Sequence, residues 1–299
     1  MDQFYQNPPT YELLCDKVQQ MKNTYPHMRN FSIGKSVLGR KIFALGIGNL
    51  KNATLFVAAI HAQEWLTCML VTHFLEDLCY HEQNQKPLFD TNLTDMFAER
   101  GLIVVPMANP DGVEIALNGA ASAKHLRRQV DRMLTASTRS WQANARGIDL
   151  NHNFNAGFQE LKAMERAAGI TRPCERQFGG YTPQSEPETR ALVHLCLGLN
   201  IKKLLAFHSQ GEEIYYSYGP NTPKNAKMIA DALKASSGYQ VMNPTGLASH
   251  GGLKDWFINH THRNGFTIEI GKGENPLPIS DLPGIYHKLR EMMFISLLI

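Results

Sequence analysis

His61 and Glu64 stand three positions apart in Ala58-Ala59-Ile60-His61-Ala62-Gln63-Glu64-Trp65, where an apolar run ends abruptly. On the first turn of a helix, positions i and i+3 share a face, so an imidazole and a carboxylate there can converge on one ion. Zinc suits nitrogen and carboxylate ligands with one position left open for water. A bare His-x-x-Glu also occurs often by chance at solvated helix starts, so the reading depends on further polar residues reaching the same place. Three more apolar runs supply candidates: Asn109 and Asp111 after 101–107, His208 after 201–207, and Glu269 inside 266–271. His208 would complete a His-Glu-His set; the bland alternative is a hydrogen-bonded polar residue at a strand end. Glu269, planted in Phe-Thr-Ile-Glu-Ile, would be costly to bury unpaired. A carboxylate tuned by burial and a nearby cation is what a general base requires, whereas on an edge strand it would face solvent.

The elements that must position these residues alternate strand and helix. Leu55 to Ile60 is short, apolar and β-capable, as expected of a buried strand in an α/β sheet. Trp65, Leu66, Met69, Leu70, Phe74, Leu75 and Leu78 then recur at helical spacing, which puts His61 and Glu64 at a strand-to-helix turn. Tyr11 to Tyr25 predicts an opening amphipathic helix, 31–34 with 41–47 a hairpin, and 285–299 a closing helix. Residues 118–144 are polar, basic and weakly patterned, the mark of a solvated helix or surface excursion. The ends of strands in open α/β sheets are where sites assemble, so the four polar positions could meet despite their separation in sequence. No internal repeat, linker or composition break is evident, and one domain over 1–299 is the economical expectation.

Composition excludes several classes. At 299 residues with 43% hydrophobic content the chain can bury a large core. Its net charge of +3, from 30 basic against 27 acidic residues, and its lack of a basic cluster interleaved with aromatics give no argument for nucleic acid or an anionic membrane as partner. No stretch approaches the roughly 20 apolar residues of a membrane span, and Met1 to Pro9 lacks the layout of a secretory signal, so a cytosolic location is expected. The five cysteines show no C-x-x-C spacing and read as reduced, mostly buried thiols.

His61-x-x-Glu64, Asn109-Pro110-Asp111-Gly112, Gly147-Ile148-Asp149-Leu150-Asn151, His208-Ser209 and Thr267-Ile268-Glu269 recur in this order in the zinc metallocarboxypeptidases typified by the pancreatic enzymes. The chain resembles that family from roughly residue 30 onward. The resemblance implies an α/β/α domain with a mixed sheet of about eight strands. It also implies one zinc on His61, Glu64 and His208, Glu269 as general base and acid, and Asp149 as the carboxylate that orients His61. An arginine of the family steadies the oxyanion. Arg146 is the candidate by position, with Arg127, Arg128 and Arg132 as rivals.

The departures bear on substrate. The pancreatic type grips a terminal carboxylate with Asp-x-Asn-Arg, and this chain has Asp149-Leu150-Asn151-His152. Replacing an always-charged fork by an imidazole is not conservative for carboxylate recognition. Leu247 stands where the family has its mobile tyrosine. Lys254 aligns with the floor of the specificity pocket, where an ammonium would select a carboxylate-bearing group; otherwise it is a surface lysine paired to Asp255. With the run Phe207 to Tyr216, these features look most like the bacterial γ-D-glutamyl-L-diamino acid (meso-diaminopimelate) peptidases. The resemblance therefore implies a peptidoglycan-derived peptide as substrate, with Asn151, His152 and Lys254 holding its carboxylates. The alternatives are a carboxypeptidase for acidic C-terminal residues, a catalytically silent cell-wall-peptide binding module, and a deacylase related to the fold. His250, His260 and His262 read as lying outside the site's inner ring.

Overall fold

Successive residues along the central strands go to opposite hydrophobic layers. Phe56, Leu102, Val104, Leu205 and Phe207 join one core, whereas Leu55, Val57, Ile103, Val105, Leu204 and Ala206 join the other. The period of two in the side chains makes this the signature of strands buried on both faces. The computed structural model describes residues 2–299 apart from 136 and 244. Its strands are β1 (Arg29–Lys35), β2 (Lys41–Gly48), β3 (Ala53–Val57), β4 (Gly101–Val105), β5 (Lys203–His208), β6 (Glu213–Tyr215), β7 (Gln240–Met242) and β8 (Asn264–Glu269). They form one mixed sheet in the order β1-β2-β4-β3-β5-β8-β6-β7. The strands β4, β3, β5 and β8 run parallel to one another, while β1–β2, β2–β4 and β6–β8 are antiparallel.

Helices cover both faces, as the resemblance implied. They are α1 (Tyr11–Thr24), α2 (Leu66–Gln83), α3 (Leu93–Glu99), α4 (Pro110–Asn118), α5 (Arg127–Met133), α6 (Phe158–Ala167), α7 (Pro187–Gly198), α8 (Ala226–Ser237), α9 (Leu253–Thr261) and α10 (Leu282–Leu298). α1, α2, α8 and α10 contribute Val18, Phe74, Leu233 and Leu289 to the first core. α7 and α9 contribute Leu192, Trp256 and Phe257 to the second. The expected hairpin is present, with Arg29 opposite Gly46. β6 and β7, of three residues each, are too short to show a period and carried no sequence signal.

Residues 118–144 hold the solvated helix or surface excursion expected, with only Val130 of α5 buried, and also a small core that was not expected. They fold as a 3-10 segment at Ala120–Leu126, then α5, then a second 3-10 turn at Thr138–Ser140. Ala120, Ala123, Val130 and a fully buried Trp141 make a third small core with Ala62, beside the His61 loop. Its few apolar residues are spread over irregular backbone, so neither helical nor strand periodicity exposes them. No helix in the described residues is long and apolar enough to cross a membrane. All five cysteines are free, with Cys68, Cys79 and Cys196 buried.

Candidate active site

Three parallel strands end together and deliver the site. β3 stops at Val57, and the chain continues through 58–65 as a tied loop before α2 begins at Leu66. His61 and Glu64 therefore precede the helix. One turn, closed by the Glu64 N–H donating to the His61 carbonyl at 3.2 Å, brings them onto one side. Ala59 holds a positive φ of 48° and donates its N–H to Thr67 Oγ1 at 2.9 Å. Ala62 donates to the Gln142 carbonyl at 3.0 Å. His208 is the last residue of β5 and Glu269 the last of β8, paired across the parallel ladder. This is the carboxyl edge of the parallel strands, where α/β sheets place their sites.

Asn109, which the sequence offered as a chemical residue, serves the loop instead. It is wholly buried, donates to the carbonyls of Ile60, Gln142 and Ala143, and accepts from the Gly112 N–H to cap α4. Asp111 is consumed by Ser36 Oγ, the Leu38 N–H and Arg40. Neither joins the cluster.

His61, Glu64 and His208 offer donor atoms that all lie within 4.8 Å of one another. His61 Nδ1 is 2.9 Å from Glu64 Oε1, His208 Nδ1 is 2.9 Å from Glu64 Oε2, and the two Nδ1 atoms are 3.2 Å apart. Asp149 Oδ1 lies 3.2 Å from His61 Nε2. With Nε2 donating to that carboxylate, Nδ1 is a bare lone pair facing a carboxylate oxygen and a second imidazole. A proton on the imidazole or a metal cation satisfies such contacts, and an imidazole whose far nitrogen donates to a carboxylate is the usual zinc ligand. The residues thus fit a zinc ion. Burial alone would lower the His61 pKa, yet the Glu64 and Asp149 carboxylates raise it well above the ordinary value. Burial pushes Glu64 and Asp149 up, and the imidazoles beside them more than reverse this, holding both low.

Glu269 is the exception among these carboxyls. Burial raises its pKa well above the ordinary range, Glu64 and Glu213 add to the rise, and His61 opposes it. It lines two adjoining cavities together with Tyr215. The larger, about 690 Å³, also takes in Glu64, Gln142, Arg139, Arg176 and Glu274. The smaller, about 140 Å³, takes in His61, Asn151, His152, Lys254 and Thr267. Lys254 is not the surface residue of the bland alternative: it is buried, donates to the Ser217 carbonyl at 2.8 Å and is paired with Asp255. His152 Nδ1 donates to the Gln177 carbonyl at 2.9 Å, and Asn151 Oδ1 accepts from the Leu253 N–H at 3.0 Å. Gly251, at φ +77°, seats against His152, where an added Cβ would approach the carbonyl oxygen to 2.9 Å.

Arg146 is placed elsewhere. Half-exposed, it reaches Glu186 at 3.4 Å and borders a separate cavity with Arg132 and Arg172. Arg127 is exposed and pairs with Asp131, and Arg128 lines neither of the two cavities. Arg146 follows the Asn144 turn, whose side chain accepts from the Arg146 and Ile148 N–H groups, and this turn aims it outward. The cleft's own donors, Gln142, Arg139 and Arg176, escaped sequence reading because they lie on loops with no periodicity. Tyr215 lay in a run already noted, Phe207 to Tyr216, without a role. His250 meets the Tyr218 hydroxyl at 3.1 Å and His260 stacks on Trp256, outside the cluster as expected.

A mixed α/β/α sheet with a His-Glu-His donor set and a buried carboxyl at its carboxyl edge defines a zinc-dependent hydrolase. The family model described as zinc carboxypeptidase matches residues 14–292, and the chain belongs to that family as a zinc metallopeptidase with one zinc. It is similar to the γ-D-glutamyl-L-diamino acid endopeptidase 1 of Lysinibacillus sphaericus, 32% identical over 93% of this chain and 69% of that protein. It is 25% identical to carboxypeptidase A1 of Bos taurus over 87% of this chain and 62% of that protein. The crystal structure of thrombin activatable fibrinolysis inhibitor shares the fold with a TM-score of 0.75, at 18% identity, over 98% of this chain and 74% of that one.

Proposed function

We propose that this metallopeptidase, acting as one catalytic domain, hydrolyses the amide between a γ-D-glutamyl residue and an L-diamino acid such as meso-diaminopimelate in peptidoglycan-derived peptides. The observation that carries the reading is the buried Lys254 in the small cavity that opens on Glu269 and His61. An ammonium fixed there by Asp255 and the Ser217 carbonyl presents charge to a side-chain carboxylate that ordinary peptides lack and diaminopimelate carries. Asn151 and His152 flank it and replace the arginine fork, in keeping with a substrate that is not a plain C-terminus. The similarity to the Lysinibacillus endopeptidase supports the same substrate class.

His61, Glu64 and His208 would hold the zinc, with Asp149 orienting His61. Zinc, when bound, supplies Lewis acidity toward a carbonyl oxygen and toward water. Glu269, its pKa raised by burial, takes a proton from water and hands it to the leaving amine. Gln142 and Arg139, which line the larger cavity, are the side chains open to the developing oxyanion in place of Arg146.

The test is incubation of the zinc-loaded protein with L-Ala-γ-D-Glu-meso-diaminopimelate and with the matched peptide carrying lysine, products read by mass. Release of L-Ala-D-Glu from the first and little from the second is expected. Removal of single acidic residues from ordinary peptides, with neither γ-linked peptide cut, would overturn it in favour of an acid-selective carboxypeptidase. Turnover of nothing, with zinc bound, would favour a binding module.

A further inference from the structure

The cleft carries positive charge on both sides of Glu269. On the small-cavity side it is Lys254, beside Asp255; on the large-cavity side it is Arg139 and Arg176, in a lining that also holds Glu64, Glu213 and Glu274. Neither Arg139 nor Arg176 has a carboxylate partner among the described residues, a property shared with several surface arginines such as Arg128 and Arg172, so its place in the cleft is what sets Arg176 apart. Arg176 differs from an ordinary surface arginine in how its backbone is held. On one side of it the Glu175 carbonyl accepts from the Gln142 and Ala143 N–H groups at 2.9 and 3.1 Å. On the other, the Gln177 N–H donates to Asp149 Oδ2 at 3.0 Å and the Gln177 carbonyl accepts from His152 Nδ1 at 2.9 Å. Asp149 in turn meets His61. Arg176 thus rides on a short segment tethered to the group that orients a zinc ligand and to a residue of the opposite subsite, while its own charge is left unspent.

We infer that Arg176 is a specificity residue that holds a carboxylate on the acyl side of the scissile bond; in the substrate proposed above, on which this inference rests, that is the α-carboxylate of the D-glutamyl residue. The small cavity, with Asn151 and Lys254, takes the amine-side residue, so the large cavity receives the acyl chain. In an ordinary peptide the acyl-side residue has an amide where it meets the next residue and no charge beside the scissile carbonyl. A γ-glutamyl link leaves the α-carboxylate free close to that carbonyl. A guanidinium fork matches a carboxylate in geometry and charge, so Arg176 would distinguish γ-linked from α-linked acyl groups. Lys254 and Arg176 together then read one anion on each side of the bond that is cut.

The experiment compares two tripeptides, L-Ala-γ-D-Glu-meso-diaminopimelate and its analogue with the glutamyl α-carboxylate converted to a carboxamide, on the wild-type enzyme, R176Q and R176K. The wild type should prefer the carboxylate form by about 10- to 100-fold in kcat/KM, the range of a charge-assisted hydrogen-bonded pair. R176Q should lose that preference, falling on the carboxylate substrate while staying within about twofold on the carboxamide, and R176K should recover part of it. Equal losses on both substrates, or a wild type indifferent to the carboxamide, would overturn the assignment while leaving the γ-glutamyl reading intact. A wild type that cuts neither tripeptide yet trims acidic C-termini would instead remove the substrate reading, and this inference with it.

Discussion

Glu269 sits in the sheet with His208 opposite it on β5 and Glu213 opposite it on β6. Burial is the main reason its proton affinity is raised, with Glu64 and Glu213 adding to the rise against His61, whereas the imidazoles beside Glu64 and Asp149 more than reverse burial and lower theirs. Glu269→Gln should keep one zinc per chain and lose about 10²- to 10⁴-fold in turnover, the span of a general acid–base group. Metal analysis beside a rate assay checks it, and undiminished turnover would remove Glu269 from the chemistry. Arg146→Ala should change kcat/KM by less than about twofold, whereas Gln142→Ala should cost at least about tenfold, as for a lost oxyanion donor. Glu188 offers a different reading of pH. Burial lifts its pKa from 4.5 to about 7, its hydrogen bond from the Val37 N–H opposes this, and Asp111 and Glu186 add to the rise. Between those values the folded state keeps a proton the unfolded chain has lost, so its contribution to stability falls as pH climbs from 4.5 to about 7 and the full penalty stands above. Glu188→Gln should therefore stabilise the protein at pH 8 by on the order of 1–3 kcal/mol and little at pH 4.5. Denaturant titrations at both pH values decide it, and a variant weaker at pH 8 would contradict the burial argument.

Among the elements, the loop from Ala58 to Trp65 carries the most consequence for its length. Nothing in it is regular, and its shape comes from outside: Thr67 bonds Ala59 and the Glu64 carbonyl, Gln142 accepts from Ala62, and Asn109 grips Ile60. Asn109→Ala would strip three buried carbonyls of a donor and uncap α4. A loss of about 2–4 kcal/mol is expected. Because the same side chain fixes the residue preceding His61, zinc affinity should fall as well, measurable by competition with a chromophoric chelator. A variant that loses stability but binds zinc unchanged would show that the loop is held without Asn109.

For the molecule as a whole, the zinc ligands come from two chain segments separated by 144 residues or more, since Glu64 and His208 meet across that span. A ligand that binds only the folded state stabilises it in proportion to the logarithm of its excess over Kd, about 4 kcal/mol at a thousandfold excess. Chelation should lower Tm by several degrees and readdition of zinc should restore it. An unchanged Tm with zinc demonstrably removed would mean that the two histidines are already held in place without the ion.

Residue types and spacing alone offered His61, Glu64, His208 and Glu269 as candidates and the alternation of strand and helix, because each rests on local pattern: an apolar run, a turn, a polar residue at its end; Asp149 came only with the family resemblance. Burial of the central strands was legible as unbroken apolar runs, but which side chain goes to which of the two cores appears only in the folded sheet. Tertiary structure decided the rest. Asn109 and Asp111 end a strand just as His208 does, and only packing shows that their side chains are used up on loop carbonyls and on Arg40. Arg146 has the right position in the chain and faces the wrong cavity, since the direction of a loop side chain depends on the backbone bonds of its turn. Arg176 and Gln142 reach the cleft through hydrogen bonds between segments far apart in sequence, and one-dimensional periodicity holds no record of such contacts.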